Sequence, residues 1–228
     1  MMTENHIDRI SIQVGLSGYS FKVESGSGTE CSGWMGADTI FASPYLQHRY
    51  GVVNMSVFTP KCALVPSRFH CPEQSRKLLS DVVCLDKADR VDYVPVPHFD
   101  SVLVYSDSIG GTLSSVLSEM LIPADGKKVH PLPELYFMLD CVSGISDYNK
   151  IVASYADGYL YLVVAQGKTL LLCNAFEAVD FTTAQYYIFM VMKKLQLNPE
   201  MSAIYFRTPL DEHQEMSLYH YFRNVERI

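Results

Sequence analysis

Residues 10–23 alternate between apolar and polar or small positions in a way that predicts a β-hairpin. The apolar positions on either side of the short Ser17-Gly18 segment are Ile12, Val14, Leu16, Tyr19, Phe21 and Val23. A period of two places one face of each strand in a core, and a tight turn between two such runs makes them antiparallel neighbours. The chain is therefore expected to open with a hairpin, which a flexible segment at 24–28 follows.

The rest of the first half carries further strand and helix patterns, separated by prolines and glycines. In order, they predict a short strand within 35–41, a helical stretch over 44–50, strands over 52–58 and 63–65, a helix from Pro72 to between 81 and 85, strands over 93–96 and 102–105, and an amphipathic helix from Gly111. Because only a short segment around Pro60 separates the strands 52–58 and 63–65, we expect these two strands to pair as a hairpin.

A polar segment that contains both proline and glycine, 122–128, is the best candidate for a domain boundary. Beyond it the pattern predicts a helix over 131–142, strands over 151–155, 159–164 and 169–173, a long helix from Asp180 that ends before Asn198, a strand over 203–206 and a helix over 212–227. Asp157-Gly158 between two alternating apolar runs is the strongest short-range hairpin signal in the chain. The order hairpin, third strand, helix, strand, helix thus occurs in the second half and, with insertions, in the first, which indicates a duplication.

Composition limits the class of protein. The 228 residues are 48% hydrophobic and 19% charged, which is typical of a globular chain and unlike a disordered one. There are 25 acidic and 18 basic residues, which give a net charge of -7, and no window concentrates Lys and Arg, so nucleic acid is not expected as a partner.

The cysteines and the N-terminus bear on the compartment. The six cysteines lack the spacing of a zinc knuckle or a redox motif and are interpreted as reduced, mostly buried thiols. The N-terminus is polar without a signal-peptide pattern, and no apolar run is long enough to span a bilayer. We therefore expect a cytoplasmic protein without a membrane partner.

The predicted organisation resembles the actin-like ATPase superfold, which sugar kinases, actin and the cytoplasmic proteins of pilus and secretion assembly share. More narrowly, the segments that are similar to an uncharacterised bacterial family of unknown function (DUF3822-like), assigned to that superfold, are 9–23, 64–66, 130–139, 151–176 and 180–228. The resemblance implies an α/β fold of two ribonuclease H-like lobes, each with a hairpin-led mixed sheet flanked by helices. The expected lobes are 8–124 and 125–228, and 131–142 is the expected hinge helix.

In active members of the superfold, the hairpins hold phosphate, and the first carries an Asp-x-Gly element whose carboxylate positions hydrated Mg²⁺. The matching triplet here is Gln13-Val14-Gly15, where glutamine supplies a neutral carbonyl in place of a charged ligand. The second hairpin has bulky Tyr155 and Tyr159 beside its turn. The adenosine-binding Gly-Gly element has no counterpart either, because 198–212 contains no glycine. The resemblance therefore implies a retained fold with the ATPase lost, and no catalytic residue is predicted.

Other patterns invite chemistry, but a structural interpretation is favoured for each. Residues 108–112 could offer backbone N–H groups to an anion, yet an ordinary glycine turn with Thr112 as N-cap accounts for them. His130 could act as a general base, yet a bond to a neighbouring backbone group at the start of the hinge helix is the simpler interpretation. Zinc-ligand residue types at the wrong spacing for a zinc knuckle, which leave no predicted metal site, are Cys62, His70, Cys71, Cys84 and His98.

The last two predicted helices carry runs of aromatic residues. Adjacent helical positions cannot all face a core, so some of these side chains are expected to be exposed. Tyr186, Tyr219 and Tyr221 are the candidates for a protein interface, because tyrosine is enriched at such surfaces, and ordinary surface placement is the alternative.

These patterns lead to two functional hypotheses. The first is a non-catalytic cytoplasmic scaffold or assembly protein that binds a protein partner or itself and needs no cofactor. The alternative is a nucleotide-binding ATPase or kinase that uses the inter-lobe cleft and Mg-ATP. Under that alternative, the nucleotide-binding candidates are Gly15, Ser17, Gly18, Asp157 and Gly158, with Asp107 as a further cleft residue.

Overall fold

The computed structural model of the chain describes residues 8–16, 18–106, 111–121 and 123–228. The strands in these ranges are β1 Arg9–Val14, β2 Gly18–Ser25, β3 Gly28–Cys31, β4 Met35–Gly36, β5 Val52–Val57, β6 Cys62–Pro66, β7 Val91–Val96, β8 Ser101–Ser106, β9 Leu132–Pro133, β10 Asn149–Ala156, β11 Tyr159–Gln166, β12 Thr169–Glu177, β13 Ala203–Phe206 and β14 Asn224–Arg227. The α-helices are α1 Ser75–Ser80, α2 Gly111–Met120, α3 Glu134–Gly144, α4 Phe181–Lys194 and α5 Glu212–Tyr219.

Contacts between Cα atoms divide the chain into two compact units, each made of two segments. Unit 1 comprises Met1–Phe58 and Ile109–Leu132, and unit 2 comprises Thr59–Ser108 and Pro133–Ile228. The predicted lobes 8–124 and 125–228 stay a prediction, because contacts group the segments that pack together, whereas the predicted lobes follow the sequence repeat.

The main sheet of unit 1 grows from the first hairpin. Its order is β3-β2-β1-β5-β9, with β4 beside β2. Strands β1 and β2 are antiparallel, and their register places Gln13 opposite Ser20. On its other side, β1 pairs with β5 in parallel. Helix α2 contributes buried Leu117 to the core under this sheet, together with Ile12 and Tyr19. The alternation that predicted the hairpin therefore reflects the strand face that packs into this core, although Gln13 and Ser20 on the other face are buried as well.

The larger sheet of unit 2 repeats this arrangement. Its order is β12-β11-β10-β13-β14. β11 pairs antiparallel with both β10 and β12, whereas β13 pairs parallel with both β10 and β14. Ile188 of α4 packs on one face against Ala153 and Leu162. Residues of β10 alternate between faces, so Ser154 points to the opposite face, where α3 lies. Each unit therefore contains a hairpin-led mixed sheet, as the sequence predicted.

A three-stranded antiparallel sheet of order β6-β8-β7 also belongs to unit 2. A polar network around Asp89 anchors the segment that leads into β7. Asp89 is buried and accepts hydrogen bonds from Lys61 Nζ at 2.6 Å, the Asp86 N–H at 2.7 Å and Ser106 Oγ at 3.0 Å. The Lys61 ammonium, followed by these N–H and O–H donors, lowers the pKa of the Asp89 carboxyl to about 2.

Two sequence-based expectations about the strands were wrong. The strands β5 and β6 do not form a hairpin, because β5 pairs with β1 and β6 pairs with β8 in another sheet. The last predicted helix ends at Tyr219, and the chain then forms β14, whose Val225 pairs with Ile204 of β13. Leu218, Phe222 and Val225 are buried as expected. The open edge of β13 offered the last residues a ladder of backbone hydrogen bonds, which their helical spacing could not reveal.

Several helices and thiols also differ from expectation. The helix predicted at 131–142 begins at Glu134, because Leu132–Pro133 forms β9, and the helix predicted from Pro72 is a 3₁₀ turn followed by α1. All six cysteines are free thiols, but the prediction that most are buried was wrong, because Cys31 and Cys84 are exposed and the other four are half-buried. Within the described ranges, none of the helices has both the length and the hydropathy that crossing a bilayer requires.

Candidate functional site

The turn of the first hairpin is the first part of the candidate site. The Gly15 N–H donates to the Gly18 carbonyl at 2.9 Å and closes the turn. Two residues before Gly15, the Gln13 side chain is only 7% exposed, and its Oε1 accepts a hydrogen bond from Ser20 Oγ at 3.0 Å across the β1–β2 pair. The residue that the sequence resemblance matches to the metal-binding acid of active members is thus a buried neutral amide, whose carbonyl accepts a hydrogen bond inside the sheet.

Gly18 lies under a tryptophan. A Cβ atom at this position would stand 2.8 Å from Trp34 Nε1 and would also collide with the Met35 carbonyl oxygen, because β4 pairs with β2 at this point. The Trp34 ring also lies 6.0 Å from that of Phe58, centroid to centroid. Gly18 is therefore required for the close approach of the chain's own β4 segment, which accounts for the glycine without a ligand.

The turn of the second hairpin is Asp157-Gly158, and both residues have positive φ angles of 52° and 76°. This is the conformation of a two-residue turn whose twist matches that of the flanking strands. The Gly158 carbonyl accepts a hydrogen bond from the Ala178 N–H at 2.8 Å, which ties the turn to the segment after β12.

Tyr155 reinforces the same link. Its hydroxyl donates to the Ala178 carbonyl at 3.2 Å, its ring lies edge-on to Phe181 at 5.6 Å, and its N–H donates to Thr208 Oγ1 at 2.9 Å. The bulky side chain that the sequence placed at this hairpin is thus part of the packing of unit 2. Burial, followed by the charge of Asp180, raises the pKa of the Tyr155 hydroxyl.

A buried ion pair in unit 2 was missed by the sequence analysis. Glu134, the first residue of α3, is fully buried, and its Oε1 accepts hydrogen bonds from Ser154 Oγ at 2.7 Å and from Arg207 Nε at 2.8 Å. Ser154 is the counterpart in the second hairpin of Gln13 in the first. Gln13 pairs with Ser20 across the first hairpin, and Ser154 pairs with Tyr161 at the same distance from the turn of the second. Both positions therefore carry neutral side chains that are hydrogen-bonded within their own unit.

The surroundings of Arg207 keep it charged. Its Nη1 donates to Cys141 Sγ at 3.1 Å, and its Cζ lies 5.5 Å from the centroid of the Phe137 ring. Burial alone would lower the pKa of the guanidinium, but the Glu134 carboxylate and Cys141 hold that pKa above its usual value. The pair fixes the start of α3 to β10 and to the segment after β13. No local pattern could have found it, because 73 positions separate the two charges.

The three tyrosines predicted as interface residues are exposed. The exposed fractions are 63% for Tyr186, 44% for Tyr219 and 54% for Tyr221. Tyr221 packs edge-on against Phe189 of α4 at 4.8 Å, which places it beside the outer side of that helix. Tyr219 instead donates its hydroxyl to the Val225 carbonyl at 3.0 Å and is held towards β14.

The remaining sequence candidates are distributed as follows. Gly15 and Gly18 close one turn of unit 1, and Asp157 and Gly158 form one turn of unit 2. Ser17, Asp107 and the glycine segment 108–110 lie outside the described residues. The His130 ring bonds the neighbouring Pro131 carbonyl at 3.1 Å, as expected. Across the described ranges, no group of three or more His, Cys, Asp or Glu side chains is arranged to hold a metal ion.

Two small cavities open within unit 2. One has a volume of about 130 Å³ between β13, β14 and α5, beside Thr208 and Glu215. The other has a volume of about 140 Å³ beside Asp147, Asn149 and Arg223. Both are smaller than the roughly 300–1,000 Å³ of typical ligand pockets, so neither accommodates a nucleotide.

Comparison with known proteins agrees with this fold. The model of the family described as "Protein of unknown function (DUF3822)" matches residues 3–225. A solved structure from Bacteroides thetaiotaomicron VPI-5482, described as a protein with actin-like ATPase fold and unknown function, is 18% identical, covers 97% of this chain and 90% of its own, and has a TM-score of 0.65. The predicted resemblance to this family and the predicted actin-like ATPase fold are therefore confirmed.

Two further solved structures align more loosely. One is the PilM-PilN type IV pilus biogenesis complex, at 13% identity and a TM-score of 0.46, covering 96% of this chain and 88% of that chain. The other is the ethanolamine utilization protein EutJ from Carboxydothermus hydrogenoformans, at 7% identity and a TM-score of 0.46, covering 96% of this chain and 84% of that chain. No curated protein matches the chain.

Proposed function

This chain belongs to the family described as Protein of unknown function (DUF3822), and we propose that it is a non-catalytic, partner-binding protein built on a degenerate actin-like ATPase fold. Its place of action is the cytoplasm, where its six free cysteines would remain reduced. The role is that of a scaffold or assembly protein, which needs neither Mg-ATP nor another cofactor.

One observation carries the proposal. The equivalent positions of the two hairpins hold Gln13 and Ser154, and each is engaged by a hydrogen bond inside its own unit. Mg²⁺ is a hard cation that favours carboxylate and water oxygens and holds its hydration shell through negative charge. A buried amide and a hydroxyl that donates to Glu134 supply no such charge, so the residues present do not fit a phosphate-bound magnesium ion.

The turns themselves support the same proposal. Trp34 and Met35 occupy the space next to Gly18, and Tyr155 binds its turn to Ala178 and Phe181. A phosphate site needs backbone N–H groups that point into open space. At both hairpins, side chains of the protein itself lie beside the turn. Partner binding is supported by exposed aromatic residues on unit 2, including Tyr186 and Tyr221.

The first test is a thermal-shift titration with Mg-ATP and Mg-ADP. Ligand at a hundredfold excess over its Kd would stabilise the native state by about 2.7 kcal/mol, which corresponds to a rise in Tm of roughly 5–10 °C for a chain of this length. We expect no saturable rise with either nucleotide. A saturable rise that Asp157→Asn abolishes and Asp92→Asn preserves would establish the alternative, a nucleotide-binding ATPase or kinase. Asp92 is a suitable control because it lies exposed on β7, which belongs to neither hairpin.

Partner binding needs a second test. The wild-type chain and a Tyr221→Glu variant would be compared as affinity baits at equal loading, with the thermal stability of both measured first. A partner bound by the wild type and lost by the equally stable variant is the expected result. Identical recovery by both baits would show that the exposed tyrosine has no part in binding.

A further inference from the structure

The outer side of α4 carries a regular row of residues that are exposed except for half-buried Phe189. Counting from the residue before the N-cap, the row consists of Val179, Thr182, Tyr186, Phe189 and Lys193, with alternating steps of three and four. Val179 is 79% and Tyr186 is 63% exposed, while Phe189 is half-buried. The opposite side of the helix is the one that packs into the core, through Ala184, Ile188, Val191 and Met192. Steps of three and four are the spacing with which two helices pack side by side.

Aromatic contacts on both flanks hold this row in place. Phe189 packs against Tyr221 at 4.8 Å on the α5 side, and Tyr187 stacks on Phe176 of β12 at 4.9 Å on the other. Tyr186 lies edge-on to Tyr187 at 5.5 Å. The rings are therefore ordered by their neighbours, so that a partner would not have to immobilise them at an entropic cost.

The charges along α4 are negative at its N-terminal end and positive at its C-terminal end. Asp180 caps the N-terminus of α4, with Glu177 close before it, and Lys193 and Lys194 lie in its last turn. Tyr186 lies seven residues from Val179 and seven from Lys193. An antiparallel copy centred on Tyr186 would set Lys193 of each chain beside Val179 and Asp180 of the other, with the two helix dipoles opposed. A parallel copy would bring like charges together.

We propose that this protein forms a homodimer through α4, two copies packing antiparallel about a two-fold axis at Tyr186. The proposal rests on the partner-binding function proposed above and names a second copy of this chain as the partner. The self-complementary charge pattern is what distinguishes a second copy from an unrelated protein, since Asp180 lies six residues before Tyr186 and Lys193 seven residues after it, so that an antiparallel copy brings the two charges together. A contact built around one helix pair belongs to the class of small, reversible interfaces.

Sedimentation velocity over about 1–300 µM, a range chosen for a weak interface, tests the contact. The wild-type chain is expected to shift from monomer to dimer with concentration. Tyr186→Glu, which places two carboxylates at the axis, is expected to raise the dissociation constant by roughly thirtyfold or more. Tyr148→Glu is the matched control, because Tyr148 is 70% exposed on unit 2 and lies outside the row. A wild-type chain that stays monomeric, or equal loss in both variants, overturns the proposal.

A charge exchange tests the antiparallel orientation. Lys193→Glu and Val179→Lys are each expected to weaken self-association, because each brings like charges together across the axis. Mixing the two variants is expected to restore dimerisation, since the new carboxylate of one chain then meets the new ammonium of the other. Tighter association of Lys193→Glu with the wild-type chain than of the wild type with itself would indicate parallel helices, in which residue 193 meets residue 193, and would contradict the proposed arrangement. The readout is independent of nucleotide, so a monomeric chain without a nucleotide shift refutes the dimer while leaving the non-catalytic function intact.

Discussion

Replacing Arg207 with methionine is expected to destabilise the protein far more than the loss of a surface charge would. The Glu134 carboxylate is fully buried and receives the Arg207 Nε–H at 2.8 Å. Removal of one partner of a buried ion pair leaves the other charge uncompensated and costs about 3–5 kcal/mol. At roughly 2–4 °C per kcal/mol for a chain of this length, Tm should fall by about 6–20 °C.

A double-mutant cycle separates the ion pair from the packing around it. Glu134→Gln alone should also destabilise, because it leaves the guanidinium without its counter-charge. The double variant Glu134→Gln with Arg207→Met removes both charges, so its loss should be smaller than the two single losses added, with a coupling free energy of about 2 kcal/mol or more.

Urea denaturation of the four proteins, followed by circular dichroism, measures the cycle. Lys127→Met is the matched control, because the Lys127–Asp125 pair is exposed at both ends and should contribute within about 0.5 kcal/mol. Additive single losses would refute a structural ion pair. Greater stability in Glu134→Gln would point to an acid kept for chemistry at the expense of stability, since functional residues often carry that cost.

Two further outcomes follow from the fold. Asp89 has a folded-state pKa of about 2, lowered first by Lys61, so its carboxylate stabilises the native state above its unfolded pKa and loses that effect as pH falls from about 4 to 2. Asp89→Asn should therefore cost about 1–2 kcal/mol at pH 7, and the difference from wild type should shrink progressively below pH 4; a constant difference in urea denaturation across that range would contradict it. Gly18→Ala should cost about 1–3 kcal/mol, because the added methyl group meets the Met35 carbonyl oxygen and Trp34 Nε1, whereas Gly33→Ala, where the added atom meets no neighbour, should be tolerated. Equal Tm values for these two glycine variants would show that β4 does not press on the hairpin.

Local patterns were sufficient for much of the secondary structure. The hairpin around Ser17-Gly18 and the Asp157-Gly158 turn were predicted because strand alternation and turn chemistry act over a few residues. The α4 helix was predicted because Asp180 caps it and apolar residues recur at helical spacing. Exposure of Tyr186 followed from the same argument, since neighbouring positions on a helix point in different directions.

The candidate site was predictable only in part. The sequence alone determined that Gln13 and Ser154 are neutral, and no packing can give either a charge. Only the tertiary structure decided what these side chains bind, because Ser20 reaches Gln13 across a strand pair and Glu134 reaches Ser154 from a helix twenty residues earlier. It also decided that β5 and β6 belong to different sheets and that the last residues form β14, since strand pairing depends on which edge is open. Contacts between distant segments leave no periodicity in the chain, and the Glu134–Arg207 pair is therefore visible only once the sheet of unit 2 is assembled.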